Sequence, residues 1–126
     1  MKKIIFLSLF LFSLNGYCQW TFNNRFDDGT NIYIDYSTRK IDGNLVRIWM
    51  MGDRIKPETF QGMTYLSSSL HYEFDCKNDQ FRILTSYYYP QNMGSGSILG
   101  QWGPSQWFSI PPGSHVMNDL KKVCRR

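Results

Sequence analysis

The chain has 126 residues, 42% hydrophobic and 17% aromatic, with 14 basic side chains against 10 acidic and a net charge of +4. That length suits one compact domain, and so many aromatic residues exclude a disordered chain. The weak positive balance, with no dense stripe of Lys and Arg, excludes the electrostatic footprint of a nucleic-acid binder.

Lys2 and Lys3, an apolar run from Ile4 to Leu14, then Asn15 and Gly16 read as a secretory signal peptide. The run is about half of the ~20 residues that a membrane-spanning helix needs, so no transmembrane segment is expected. Cleavage after Cys18, with Gly16 at the third position back, assigns residues 1–18 to the signal peptide and 19–126 to one domain. A lipid anchor on Cys18 calls for a small residue where the bulky Tyr17 stands, which disfavours it. Without Lys2 and Lys3 the 14 basic residues fall to 12 against 10 acidic, a net of +2. The exported chain is then periplasmic or extracellular, with outer-membrane association left open. It keeps Cys76 and Cys124, an even count in an oxidising compartment, which predicts a disulfide.

Taken in order, "QWTFNNRF" is a weak strand, and "TNIYIDYS" and "NLVRIWMM" are strong ones joined by a hairpin signal at Asp42-Gly43. "GDRIKPETFQGM" contains Gly52, Pro57 and Gly62 and reads as a surface loop. "SSLHYEFDC" and "QFRILTSYYY" form a hairpin about Asn78-Asp79, with Cys76 opposite Phe81, Phe74 opposite Ile83, Tyr72 opposite Thr85 and Leu70 opposite Tyr87. That face is the expected core. The reverse face, with Asp75, Glu73, His71, Arg82, Leu84 and Ser86, is expected to meet solvent, and Tyr88 should point away from the core. "QNMGSGS" is a glycine-rich turn into a strand at "SILGQW". After Pro111, Pro112 and Gly113, Ser114 caps a helix whose apolar stripe is Val116, Met117, Leu120, Val123 and Cys124. The expectation is therefore an α+β fold: an antiparallel sheet of five to six strands with one C-terminal helix packed on the face of Leu70, Tyr72, Phe74 and Cys76, tied by a Cys76–Cys124 disulfide.

"SSSLHYEFDCKNDQFRILTSYYY", then "NMGSGS", a Trp, "IPPGS" and a final Cys, together with "GTNIYIDYSTRKIDGNLVRIWMM" upstream, resemble the bacterial surface-adhesin protein E family over nearly the whole mature chain. The resemblance implies an antiparallel sheet with a disulfide-tied helix and a non-enzymatic envelope protein that binds host extracellular-matrix or serum proteins. The residues themselves offer no catalytic or metal site. His71 and His115 stand on solvated positions without a cluster of ligand spacing, no Gly-x-Ser-x-Gly occurs, and the Met93–Ser97 glycines lack the rest of a phosphate loop. No cofactor is expected. Exposed aromatic and basic side chains are the types enriched where proteins meet, which makes Arg82, Tyr88, Tyr89, Met93 and Trp102 the candidate partner-binding residues. The partner is an unidentified protein, and a homodimer is left open. The alternative is a soluble periplasmic accessory or small-ligand-binding protein that shares the fold without adhesin activity.

Overall fold

Strict alternation along "LVRIWMM" sends Val46, Ile48 and Met50 to one face of a pleated strand and Arg47, Trp49 and Met51 to the other. The chain uses both sets. In a computed structural model describing residues 19–125, the strands are β1 (Thr21–Arg25), β2 (Asn31–Asp42), β3 (Leu45–Phe60), β4 (Met63–Asp75), β5 (Gln80–Tyr89), β6 (Gly100–Trp102) and β7 (Phe108–Ser109), followed by helix α1 (His115–Cys124). The first six lie side by side in chain order, all antiparallel, while β7 joins the other end of the β5 edge. The sheet therefore has seven strands, because "SILGQW" contributes only Gly100–Trp102 and a second short strand follows it. The signal peptide and Cys18 lie outside the described residues.

Three local readings change. The first hairpin turns on Gly43-Asn44, one position later than expected, since Asp42 already pairs with Leu45. The stretch "GDRIKPETF" is strand rather than loop: β3 runs through it and returns into β4 by a turn at Gln61-Gly62. Pro57 is tolerated because it falls in the unpaired step between Asp53 and Glu58, where no ladder N–H is required of it.

The third change concerns the β4–β5 register. Asp75 pairs with Gln80, so the connection is four residues long, not two. The Asp75 carboxylate drives this by accepting the Lys77 and Asn78 backbone N–H groups at 3.1 and 3.0 Å and the Asn78 amide at 2.9 Å. Phe74 thus faces Phe81 and Tyr72 faces Ile83, an offset of two residues that preserves the expected faces. A register shift between His71 and Tyr72 then sets Leu84 aside and pairs His71 with Thr85. Beyond it, Ser86 and Tyr88 take the core side and Tyr87 and Tyr89 the other, the reverse of the expected parity. The bulge is held from outside β5. Ser105 donates its N–H to the Ile83 carbonyl at 2.8 Å and accepts the Ile83 N–H on its hydroxyl at 2.9 Å. Gly103, at φ +120, lies so close that a Cβ there would stand 2.6 Å from the Leu84 carbonyl oxygen.

Ile34, Val46, Ile48, Met50 and Phe74 from β2, β3 and β4 share one buried cluster with Ile110 and with Met117, Leu120 and Val123 of α1. Ser114 caps the helix by accepting the Met117 N–H at 3.2 Å, and Arg39 donates to the Val123 carbonyl at 2.6 Å at the other end. Cys76 and Cys124 are bonded, with Cα atoms 5.9 Å apart, and both pack against the cluster. Beside this core, Tyr88 sits among Tyr65 and Phe60 at centroid distances of 4.8 and 5.5 Å, and Trp102 closes on Phe60 at 6.2 Å.

Candidate functional site

The face that carries Arg47, Trp49 and Met51 is organised in cross-strand rows. One row is charged: Lys40, Arg47, Glu73 and Arg82 pair in sequence across β2, β3, β4 and β5. Glu73, expected at a solvent-facing position, is fully buried, with Arg47 Nε and Arg82 Nε each 2.7 Å from one of its carboxylate oxygens. Burial pushes its carboxyl pKa up, but the two guanidinium hydrogen bonds outweigh that and hold it below its ordinary value. Arg82 also lies 4.8 Å over the Trp107 ring. Both cations stay partly accessible, with side chains 47% exposed for Arg47 and 31% for Arg82.

The next row is Asp35, Trp49, His71 and Thr85. His71 is not a solvated side chain. Its ring is parallel to Trp49 within 1° at 4.5 Å, and Trp49 is also parallel to Tyr87 within 12° at 6.0 Å. Partial burial and then the Arg47 charge press the His71 pKa below its ordinary value, which keeps the ring neutral at physiological pH. Asp35 is buried and occupied, receiving the Ser37 N–H at 3.0 Å and the Ser37 hydroxyl.

A third row, Tyr33, Met51, Ser69 and Tyr87, continues toward the "NMGSGS" segment. That segment is a single 3-10 turn, Asn92–Gly94, pinned back on the sheet and not a plain hairpin turn. Asp53 accepts the Met93 N–H at 2.8 Å and the Asn92 amide at 2.9 Å, and the Ser67 hydroxyl accepts the Gly94 N–H at 2.9 Å. Glycine is needed at position 94, where φ is +71 and an added Cβ would stand 3.0 Å from the Met51 methyl.

Together these rows form a groove. Its upper part is an open cavity of about 460 Å³ walled by Trp20, Trp49, Met51, Tyr87, Tyr89 and Met93, with Asp35, Thr38, Ser69 and Gly94 between them. Its lower part, about 300 Å³, is lined by Thr38, Lys40, Arg47, Trp49 and His71. Thr38 and Trp49 border both.

The candidate partner-binding residues divide. Tyr89 and Met93 line the groove, and Arg82 ends its charged row. Tyr88 is only 8% exposed, contrary to its expected outward position, and Trp102 is half-buried beside the same rings. The Leu84 bulge is the reason in both cases, since Tyr88 and the Trp102 partner Ser86 follow it. Trp20, Trp49, Met51 and Tyr87 were missed as groove residues. The signal for two of them was present, because Trp49 and Met51 alternate with three core residues. His115 lies apart, at the start of α1, 3.0 Å from the Asn24 amide and with its ring 5.5 Å from Phe26. Among the described residues no group of three His, Cys, Asp or Glu could hold a metal ion, and no helix is long and apolar enough to cross a membrane.

No curated protein sequence matches the chain. Solved structures do: one of Haemophilus influenzae protein E superposes with a TM-score of 0.67 at 15% identity, covering 88% of this chain and 91% of that one. A second structure of the same protein gives 0.65 at 15% identity, with 88% and 87% covered. Protein E from non-typeable Haemophilus influenzae gives 0.61 at 15% identity, with 89% and 79% covered. At such identity the likeness establishes the fold. Residues 20–125 match the family described as Surface-adhesin protein E, and the chain belongs to that family, as an adhesin-like binding module.

Proposed function

We propose that the protein, exported after removal of residues 1–18, is a non-enzymatic module of residues 19–126 that recognises another protein through the groove face of its sheet, with α1 serving as the cover of the opposite face. The observation that carries this reading is the groove itself. Aromatic and methionine side chains line an open cavity of about 460 Å³ on the sheet face that carries Trp49 and Met51. Family membership makes extracellular-matrix and serum proteins the first partners to try. The carboxylates of this face support binding over chemistry, since Glu73 is held by two guanidiniums and Asp35 by Ser37.

Immobilised matrix and serum proteins should capture the exported protein, and Tyr87→Ala with Met93→Ala should weaken capture at least tenfold without unfolding it. Capture that these changes leave untouched would place the binding surface elsewhere. The cavity volume also favours a second reading, because it falls within the ~300–1,000 Å³ of small-ligand sites. In that case the protein would be a periplasmic ligand carrier, and native mass spectrometry of the purified protein would find a small molecule retained.

A further inference from the structure

The groove is electrically and chemically polarised along β3. At its lower end Lys40 and Arg47 line the wall. The acids of the face are withdrawn there: Glu73 has no exposed surface, Asp35 is 2% exposed, and Asp53 is taken up by Asn92 and Met93. Asp42 and Asp75 stand at the hairpin ends, outside the lining, and Asp75 is occupied by the Lys77–Asn78 turn. Among the lining residues the open charge is cationic, Lys40 and Arg47, with the exposed Asp42 beside Arg47 at the hairpin end. At the upper end Met51, Met93, Tyr89 and Trp20 form an apolar, adaptable wall.

Between the two ends stand Trp49, His71 and Tyr87, parallel to one another. Rings stacked this way spend faces on each other and turn their edges outward, and the edge of an aromatic ring carries its positive potential. A sugar seeks a free ring face, and the pairing of Trp49 with His71 consumes one. Carboxylates and peptide carbonyls seek the edges.

From this we infer that the groove accepts an extended acidic peptide segment of the partner, with a carboxylate against Lys40 and Arg47 and a bulky apolar side chain in the Met51–Met93 cleft. The inference rests on the binding-module reading and names the chemistry of what is bound. It also fixes a spacing. Arg47 and Met51 are four residues apart on one face of β3, roughly 13 Å at strand rise, so the ligand's acidic and apolar residues are four positions apart when it lies extended.

The test uses the exported protein and fluorescent peptides with glutamate and leucine four positions apart and serine between, in both chain directions. Fluorescence anisotropy should show binding by at least one direction, weakening about tenfold as salt rises from about 0.05 to 0.5 M. The counterpart with lysine for glutamate should not bind. Lys40→Glu, an exposed change, should cost about tenfold, whereas Lys121→Glu on α1 should cost nothing. Failure of both glutamate peptides, equal binding of the lysine peptide, or indifference to Lys40→Glu overturns the inference. If an intact protein partner is still captured and lost with Tyr87→Ala and Met93→Ala, only the acidic-peptide assignment falls. If capture also ignores those changes, the groove reading falls with it.

Discussion

Tyr87 and Tyr88 are neighbours in the chain and belong to different machines. On the core face, Tyr88 meets Tyr65 at 69° and Phe60 meets Trp102 at 87°, edges driven into faces so that the rings interlock. On the groove face, Tyr87, Trp49 and His71 are nearly parallel and stacked in a row. The same residue types thus close over a buried Tyr88 in one case and wall an open cavity in the other. Composition does not distinguish them. Strand parity does, and parity here is set by one set-aside residue, Leu84.

The heaviest blow to the core face should come from its covalent tie. Replacing Cys76 or Cys124 by serine releases a loop with a sequence separation of 48. By the chain-entropy model that costs about 4 kcal/mol. Denaturant unfolding should register the loss under oxidising conditions and find variant and parent alike under reducing ones. The two tyrosines provide the sharper comparison. Tyr88→Ala should cost about 3 kcal/mol by opening a cavity among packed rings, and Tyr87→Ala about 1 kcal/mol or less, because its ring borders an open groove. Equal costs in thermal unfolding would mean that the two faces are not different in kind.

Glu73 links the faces, being a buried charge serviced from the groove side. Glu73→Gln should cost about 2 kcal/mol at neutral pH by leaving two guanidiniums without their carboxylate. The pH sign is definite. Its folded pKa lies below the ordinary 4.5, so its stabilisation is complete above that value and disappears as pH falls through the folded pKa. Unfolding curves of parent and Glu73→Gln should therefore converge in acid, separate as pH rises through the folded pKa, and reach their full separation by about pH 4.5.

What could be read from the sequence was whatever local chemistry decides. Ser114 announces the helix start, "IDGN" the first hairpin, and an even cysteine count the disulfide. The turn readings at Asp42-Gly43 and Asn78-Asp79 slipped for local reasons, but the larger misreadings depend on distant partners. Pro57 looked like a strand breaker because the irregular step that accommodates it belongs to the pairing with β4. Glu73 looked like a surface residue until two arginines from flanking strands converged on it. The Leu84 bulge is fastened by Gly103 and Ser105, some twenty residues downstream, and no periodicity within "QFRILTSYYY" betrays it. The same bulge puts Tyr87, and not Tyr88, on the groove wall.

The bond between Cys76 and Cys124 also closes a covalent ring through the chain. Within that ring lies the stretch from Pro90 to Trp107, where Met93, Ile98 and Leu99 are 43%, 54% and 42% exposed and backbone pairing is sparse. A protease that reached this stretch would cut the polypeptide without parting the molecule, since both pieces stay joined through sulfur. In an oxidising compartment, where reductants are scarce, a nick in this region leaves the protein one covalent body, and the groove walls on either side of the cut remain tethered to the same sheet.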